Sequence, residues 1–317
     1  MVISKGSMEN IDILALDIAT GSSQVKAFNL TNATEPYDYN SEGLLLGWGL
    51  RNEVGIAEHP NSGGIWGVEN SADGLFRHGV DVHRNNPAEK LNFLGYLNGT
   101  EYDRQGDNFG YPWCFAVWEA DELPQNSSLA VGDQFAIDAT PESNNQNRTD
   151  DFCAEQVPPR LSFQAHMAPL DIKFNNSGQE GWIAWHGSWN RDEPVGYALS
   201  VVAWNEDGEP VDAPDSMTAA TDIFANEDLS RCPSNCHRPV AMAFDSQGRI
   251  YLTSDSTGEI YLITRVEDDG TPAGGSATSS GASPSATGNA AATIRLGQSS
   301  SVSIFASVLS VLTVLVW

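Results

Sequence analysis

Three segments of this chain repeat one pattern: a short apolar strand, a polar turn containing glycine, then a second strand alternating with aromatic residues. They run over residues 54–69, 170–185 and 240–254. Two strands joined by such a turn make a β-hairpin, because glycine and asparagine accept the backbone dihedrals a tight turn demands. A supersecondary unit that recurs along a chain buries its apolar faces by stacking on its own copies. The units therefore read as the two inner strands of propeller blades. Their spacing is irregular, so large insertions separate them. A β-sandwich uses the same hairpins and is the competing fold. The 9 Trp, 29 Gly and 16 Pro of the chain fit short strands and tight turns rather than long helices.

The propeller reading carries a geometric expectation. In a hairpin, the start of the first strand and the end of the second lie at the same end. Residues flanking the inner strands of successive blades should then meet at one mouth of a central channel. Before the first strands come Arg51-Asn52, His166 to Pro169 and His237-Arg238; after the second strands come Glu69 to Asp73, His186 to Arg191 and Asp255. Arginines set among amides, histidines and Trp189 suit a flat polyanion, since a guanidinium grips carboxylates with two parallel hydrogen bonds and stacks on rings. An oxygen-rich loop beside them suits a hard cation such as calcium. Taken singly, each residue has a plainer account: a strand-edge arginine is a surface ion-pair partner, a lone histidine is structural, and Asp73 and Glu89 are solvated acids. The repeated placement sets the group apart.

Acids outnumber bases 42 to 16, a net charge of −26. That excludes nucleic acid and anionic membrane surfaces as partners, both being negative themselves, and describes a soluble secreted surface. Cys114, Cys153, Cys232 and Cys236 form an even, low count that suits two disulfides in an oxidising compartment. Cys232 and Cys236 are spaced to close a small loop, leaving Cys114 to pair with Cys153. A zinc site is the rival reading and needs four convergent ligands. Sequons begin at Asn29, Asn32, Asn98, Asn126, Asn147 and Asn175 and agree with passage through the secretory pathway.

No apolar leader follows Met1, which conflicts with those signals unless the natural start is missing. At the other end, residues 269–301 are a flexible linker rich in Ser, Gly and Ala. Residues 302–317 are apolar to the last position, too short to span a bilayer and without a basic flank. Small residues at Asn289-Ala290-Ala291, a polar spacer and this tail fit a glycosylphosphatidylinositol signal, with Asn289 the first choice of attachment residue and Gly288 the second. A single-span anchor is the alternative. The expected location is the cell surface.

At the mouth residues the chain resembles the soluble quinoprotein glucose/sorbosone dehydrogenase family, more narrowly its fungal branch of pyranose dehydrogenases dependent on pyrroloquinoline quinone. Gly49-Leu-Arg51-Asn52-Glu-Val-Gly55 resembles the family's Gly-x-Arg-Asn-x-x-Gly segment. Asn86-Pro-Ala-Glu89-Lys-Leu-Asn92 and Asp107-Asn-Phe-Gly-Tyr-Pro112 resemble two further segments, Ala168-Pro169 matches an Ala-Pro step, and His186-Gly-Ser-Trp-Asn-Arg191 reads like the fungal form of a cofactor loop. The likeness covers residues 1–268.

The resemblance implies an all-β, six-bladed propeller, here incomplete by the first blade or more and followed by a disordered C-terminal tail. It implies an oxidoreductase that moves hydride from the anomeric or a ring hydroxyl carbon of a pyranose to the quinone, with calcium polarising the quinone carbonyl. Arg51, Asn52 and Arg238 would contact the cofactor, with His166, His186, Trp189, Asn190 and Arg191 in cofactor-facing loops. Ser71 and Ala72, through their carbonyls, and Asp73 would ligate calcium; Glu89 and the Phe109 carbonyl are candidates for a second, structural cation. Asn190-Arg191 stands near where bacterial members carry a lysine, and Cys236 replaces one of their paired arginines. The family's base histidine is expected upstream of Met1, so the chain as written is expected not to turn over sugar. The implied partners are a sugar, an external electron acceptor such as a cytochrome, and a lipid anchor, on a monomer. The competing function is a non-catalytic surface propeller that binds glycan or protein.

Overall fold

Each of the three repeats folds as an antiparallel hairpin: Glu53–Glu58 with Gly64–Glu69, Pro169–Phe174 with Glu180–Trp185, and Pro239–Phe244 with Ile250–Ser254. The computed structural model describes residues 1–31, 33–126, 128–138 and 148–266, and the backbone of Thr293–Arg295 and Ser303–Leu309. Asn32 and Asn147, the linker from residue 269 apart from the Thr293–Arg295 backbone, Asn289 and the rest of the apolar tail lie outside the described residues.

Each hairpin is the inner half of a larger meander. The second sheet adds Glu89–Tyr96 and then Leu161–Phe163, the third adds Ala198–Ala203 and Ala220–Ala225, and the fourth adds Ile260–Val266, beyond which the backbone of Ser303–Leu309 pairs. A first sheet, Val2–Lys5, Gln24–Ala27 and Leu44–Trp48, precedes them. The insertion at residues 97–160 separates the last two strands of the second sheet. It is tied by the Cys114–Cys153 disulfide and holds the α-helix Asp150–Ala154. Cys232 pairs with Cys236, so all four cysteines are in disulfides as the spacing predicted. Among the described residues no helix is long and apolar enough to cross a membrane.

The sheets pack face to face, and the period of two along a strand decides which neighbour each side chain meets. Ile65 faces the first sheet, with Val25, Leu46 and Leu94, whereas Trp66 and Val68 face the third, with Ile172, Ile183 and Trp185. Trp182 and Ala184 on the next strand point the other way, toward Met242, Ile250 and Leu252 of the fourth. Strands buried on both faces explain the apolar, aromatic-rich runs in the repeats. The innermost strands lie side by side. A Cβ on Gly55 would stand 2.7 Å from the Asp171 Cα, and the Asp171 carboxylate accepts the Met242 amide at 2.8 Å. Three inner strands are thereby locked together, and their loop ends share one rim.

Candidate functional site

Arg51, Asn52, His166, His186 and Arg238 stand at the ends of inner strands, and backbone contacts link them into one rim. The Arg51 Nη1 donates to the Asn70 carbonyl at 3.4 Å, and the Asn70 side-chain amide donates to the Pro169 carbonyl. The His186 amide donates to the Ala168 carbonyl at 2.9 Å. Arg238 closes the series, with Nε donating to the His186 carbonyl at 3.1 Å and Nη2 to the Gly187 carbonyl at 2.9 Å. Asn52 accepts the Asn70 amide through its own carbonyl at 3.0 Å.

The arginines here are held by neutral acceptors. Arg51 also donates to Asn10, at 3.3 Å to its carbonyl and 3.1 Å to its side-chain oxygen. The Arg238 guanidinium lies 5.7 Å from the Tyr197 ring centroid, within cation–π range. Arg191 reaches the Arg84 carbonyl and, at 3.0 Å, the Asn85 side chain. Among the described residues no carboxylate lies within 4.0 Å of Arg51, Arg191 or Arg238, although Asp73 and Glu89 are near enough to feel Arg51. Fixed guanidiniums without a bonded counter-ion are a standing anion site.

The acids form a second arc. Asp73 pairs with His166 Nδ1 at 3.0 Å and receives the Asn190 amide at 3.3 Å. Burial would raise the Asp73 pKa, but His166, Asn190 and Arg51 hold it below the usual value. Burial pulls His166 down, and its bonds to Asp73 and the His83 carbonyl, with Glu89 nearby, outweigh that and raise it. Both of its ring nitrogens face acceptors, which an imidazolium satisfies. Glu89 is buried and not solvated; it accepts the Ser71 amide at 2.8 Å and the Ala168 amide at 3.2 Å, and burial pushes its pKa up to about 7. The Ser71 hydroxyl is buried with no hydrogen-bond partner among the described residues. Ala72 is buried among Leu75, Val82 and Tyr111. Phe109 packs between the first two sheets. His186 bonds Asp255 at 3.1 Å, and burial with Arg238 nearby holds its pKa low. Trp189 is 68% exposed. Among the described residues no three His, Cys, Asp or Glu side chains cluster as metal ligands, so a calcium site here would add carbonyl and hydroxyl oxygens to the single Asp73 carboxylate.

Under the rim lies a buried charge network that sequence reasoning missed. Lys90 pairs with Glu69 at 2.6 Å, with side-chain exposures of 2% and 1%. Asn92 donates to Glu69 at 2.8 Å and to Glu53 at 3.1 Å, and Glu69 accepts the Arg51 amide at 2.7 Å. Burial, then the Glu69 charge, drives the Glu53 pKa well above its usual value. Gly67 makes the room: a Cβ there would sit 2.0 Å from Glu53 Oε1. Glu53 and Lys90 were readable only as charges on strands, normally a solvent face. Asn10 and His83 to Asn85 were also missed, because they arrive from loops distant in sequence. Of the described sequons, Asn29 and Asn98 are exposed, while Asn126 and Asn175 are half-buried.

A model of the TrAA12-like family matches residues 1–266. A pyrroloquinoline quinone-dependent sugar dehydrogenase of Hypocrea jecorina is 44% identical over 274 residues, 85% of this chain and 60% of that protein. The calcium structure of the Trichoderma reesei carbohydrate-active enzyme of family AA12 superposes with a TM-score of 0.78 at 46% identity, covering 82% of this chain and 64% of that one. The holo form of the pyranose dehydrogenase quinone domain from Coprinopsis cinerea gives 0.72 at 34% identity, covering 82% and 66%. The chain thus spans about three fifths of the Hypocrea relative's length.

Proposed function

The chain belongs to the TrAA12-like family, and from that premise we propose that its rim binds pyrroloquinoline quinone in an oxidoreductase that acts on a pyranose sugar. One observation carries the proposal: Arg51 and Arg238, from separate sheets on one rim, are fixed by carbonyl and amide oxygens and have no bonded carboxylate among the described residues. A planar tricarboxylate supplies the missing negative charge, and guanidiniums already held in place lose little freedom on binding it.

The donor set fits the group. Ser71, whose buried hydroxyl lacks a partner, would hold calcium with the Ala72 carbonyl and Asp73. When bound, the quinone accepts hydride and calcium makes its carbonyl a better acceptor. The chain's own residues provide the frame. Glu89 ties the Ser71 loop to the Ala168 step, Glu69 pins the Arg51 backbone from below, and Asn190 bridges to Asp73. His166 has both ring nitrogens engaged and orients loops. Two disulfides and exposed Asn29 and Asn98 favour an extracellular setting.

Calorimetry of the full chain with pyrroloquinoline quinone and calcium tests the reading. Arg51→Ala and Arg238→Ala should each weaken binding about tenfold or more, the worth of one charge-assisted contact. Binding that survives both substitutions unchanged would place the cofactor elsewhere. No binding at all would favour a non-catalytic propeller that takes glycan or protein.

A further inference from the structure

A cleft of about 710 Å³ opens far from the rim, lined by Phe93, Tyr96, Tyr102 and Pro159 with Glu101 and Asp215. The strand Glu89–Tyr96 starts at the rim and ends here, seven steps or about 23 Å away. Its rings pack edge to face, Phe93 with Tyr96 at 5.2 Å and with Tyr102 at 4.8 Å between centroids. Both arginines of the lining are already committed: Arg104 to Asp107 at 2.6 Å, and Arg160 to Glu209 at 3.2 Å and the Pro210 carbonyl at 2.7 Å. Glu101 and Asp215 have no hydrogen bond or ion pair among the described residues. Ring and proline surface, spare acceptors and no spare cation exclude an anionic ligand. They suit a neutral sugar, whose C–H face lies on rings and whose hydroxyls donate to carboxylates.

The chain carries an attachment sequence for such a sugar at the edge of this cleft. Tyr96 is followed by Leu97 and the sequon Asn98-Gly99-Thr100. The turn is pre-formed: Asn98 Oδ1 accepts the Thr100 amide at 3.0 Å, and Gly99 has φ +92° with nothing within 4 Å of where a Cβ would stand. Asn98 is exposed, and its amide nitrogen gives one hydrogen to the Ser62 carbonyl at 3.0 Å, leaving the other for a glycosidic bond. Tyr96 and Thr100, two residues away on either side, both line the cleft, so the Asn98 Cα lies within about 7.6 Å of the Cα of each. The other described sequons are placed differently. Asn126 and Asn175 are half-buried, with amide nitrogens held by the Ala120 carbonyl and, at 2.9 Å, by Glu180, and Asn29 does not border this cleft.

We propose that Asn98 carries an N-linked glycan whose first N-acetylglucosamine lies in this cleft against Tyr96, covering the Phe93–Tyr96–Tyr102 face. In the covalent step the amide nitrogen bonds to the anomeric carbon of a lipid-linked oligosaccharide. The bond from that carbon to pyrophosphate breaks, and the amide proton leaves with the pyrophosphate lipid. The docked sugar then stabilises the fold by removing ring surface from water.

The test secretes the full chain from yeast behind a leader, maps occupancy by peptide mass spectrometry, and trims the glycan to one sugar with endoglycosidase H. Asn98 should be occupied, and the single remaining sugar should keep the full Tm. Asn98→Gln and Thr100→Ala, which both delete the sequon, should each lower Tm by about 2–4 °C. In a Tyr96→Ala background the same deletions should cost clearly less, leaving only the loss of the turn's own hydrogen bonds; Tyr96→Thr, which keeps strand propensity, serves if the alanine variant is not secreted. An unoccupied Asn98 in folded protein, or equal Tm losses with and without the tyrosine ring, would overturn the proposal.

Discussion

His237 sits beside the rim arginine Arg238 with its Nε2 buried and without a hydrogen-bond partner among the described residues, its ring against Phe224 and Tyr261 at 4.6 and 5.6 Å. Burial drives its pKa down to about 4, against weaker pulls from Glu259 and the Tyr197 backbone. The sign of the consequence follows from which state binds the proton. Between the ordinary histidine value of about 6.5 and the folded value, the unfolded chain takes up a proton that the folded chain refuses. This part of the stability is therefore complete above the upper limit and is lost as pH falls toward the lower one. Across a shift of that size the loss is roughly 3 kcal/mol. His237→Phe keeps the ring packing and removes the titration, at the fixed cost of the Tyr197 contact. Denaturant unfolding at pH 7.5 and pH 4.5 should show the variant gaining on the native protein upon acidification. A difference between the two proteins that stays constant with pH would mean the imidazole is reached by water in the folded state.

The inner strands show how little space separates neighbouring sheets. Around a Cβ at Gly55, the Asp171 Cα, Ile172 nitrogen and Asp171 carbonyl carbon stand at 2.7, 2.8 and 2.9 Å. All three are backbone atoms, so no rotamer change makes room. Gly55→Ala must push two inner strands apart, at a cost of about 1–3 kcal/mol or more. Gly248→Ala is the comparison, since nothing lies within 4 Å there and only the strained φ of +73° is felt. Thermal unfolding should rank Gly55→Ala as the more damaging, and equal losses would mean that the sheets slide freely. The same elements mark what was legible. The three hairpins, and hence the shared rim of Arg51, His186 and Arg238, followed from alternation and turn residues alone. The fourth strand of the second sheet, Leu161–Phe163, did not, because it is three residues long and its partner ends at Tyr96. Short strands joined across long insertions leave no periodic signal. Buried charge was equally silent: Lys90 is enclosed because Glu69 meets it from the neighbouring strand, held there by Asn92, a fact of register rather than of residue type.

At the scale of the whole molecule, the rim and the protein around it pull an anion in opposite directions. The chain carries 42 acids against 16 bases, a net charge of −26, while the rim holds Arg51, Arg191 and Arg238 without bonded carboxylates among the described residues. The range of each field is set by ionic strength. At 0.01 M salt the screening length is about 30 Å, comparable with the molecule, so an approaching tricarboxylate meets the summed negative charge. At 0.15 M it is about 8 Å, and a ligand near the rim feels mainly the local arginines. Adding salt over this interval should therefore speed the association of pyrroloquinoline quinone, opposite to the usual loss of steering between opposite charges. The dissociation rate should rise more modestly, because only the contacts at the rim are then being screened. Stopped-flow binding across that range of salt separates the two effects. An association rate that falls steadily from the lowest salt upward would mean that the rim arginines outweigh the acidic body at every distance, and the distribution of the remaining acids would then have to favour the face away from the rim.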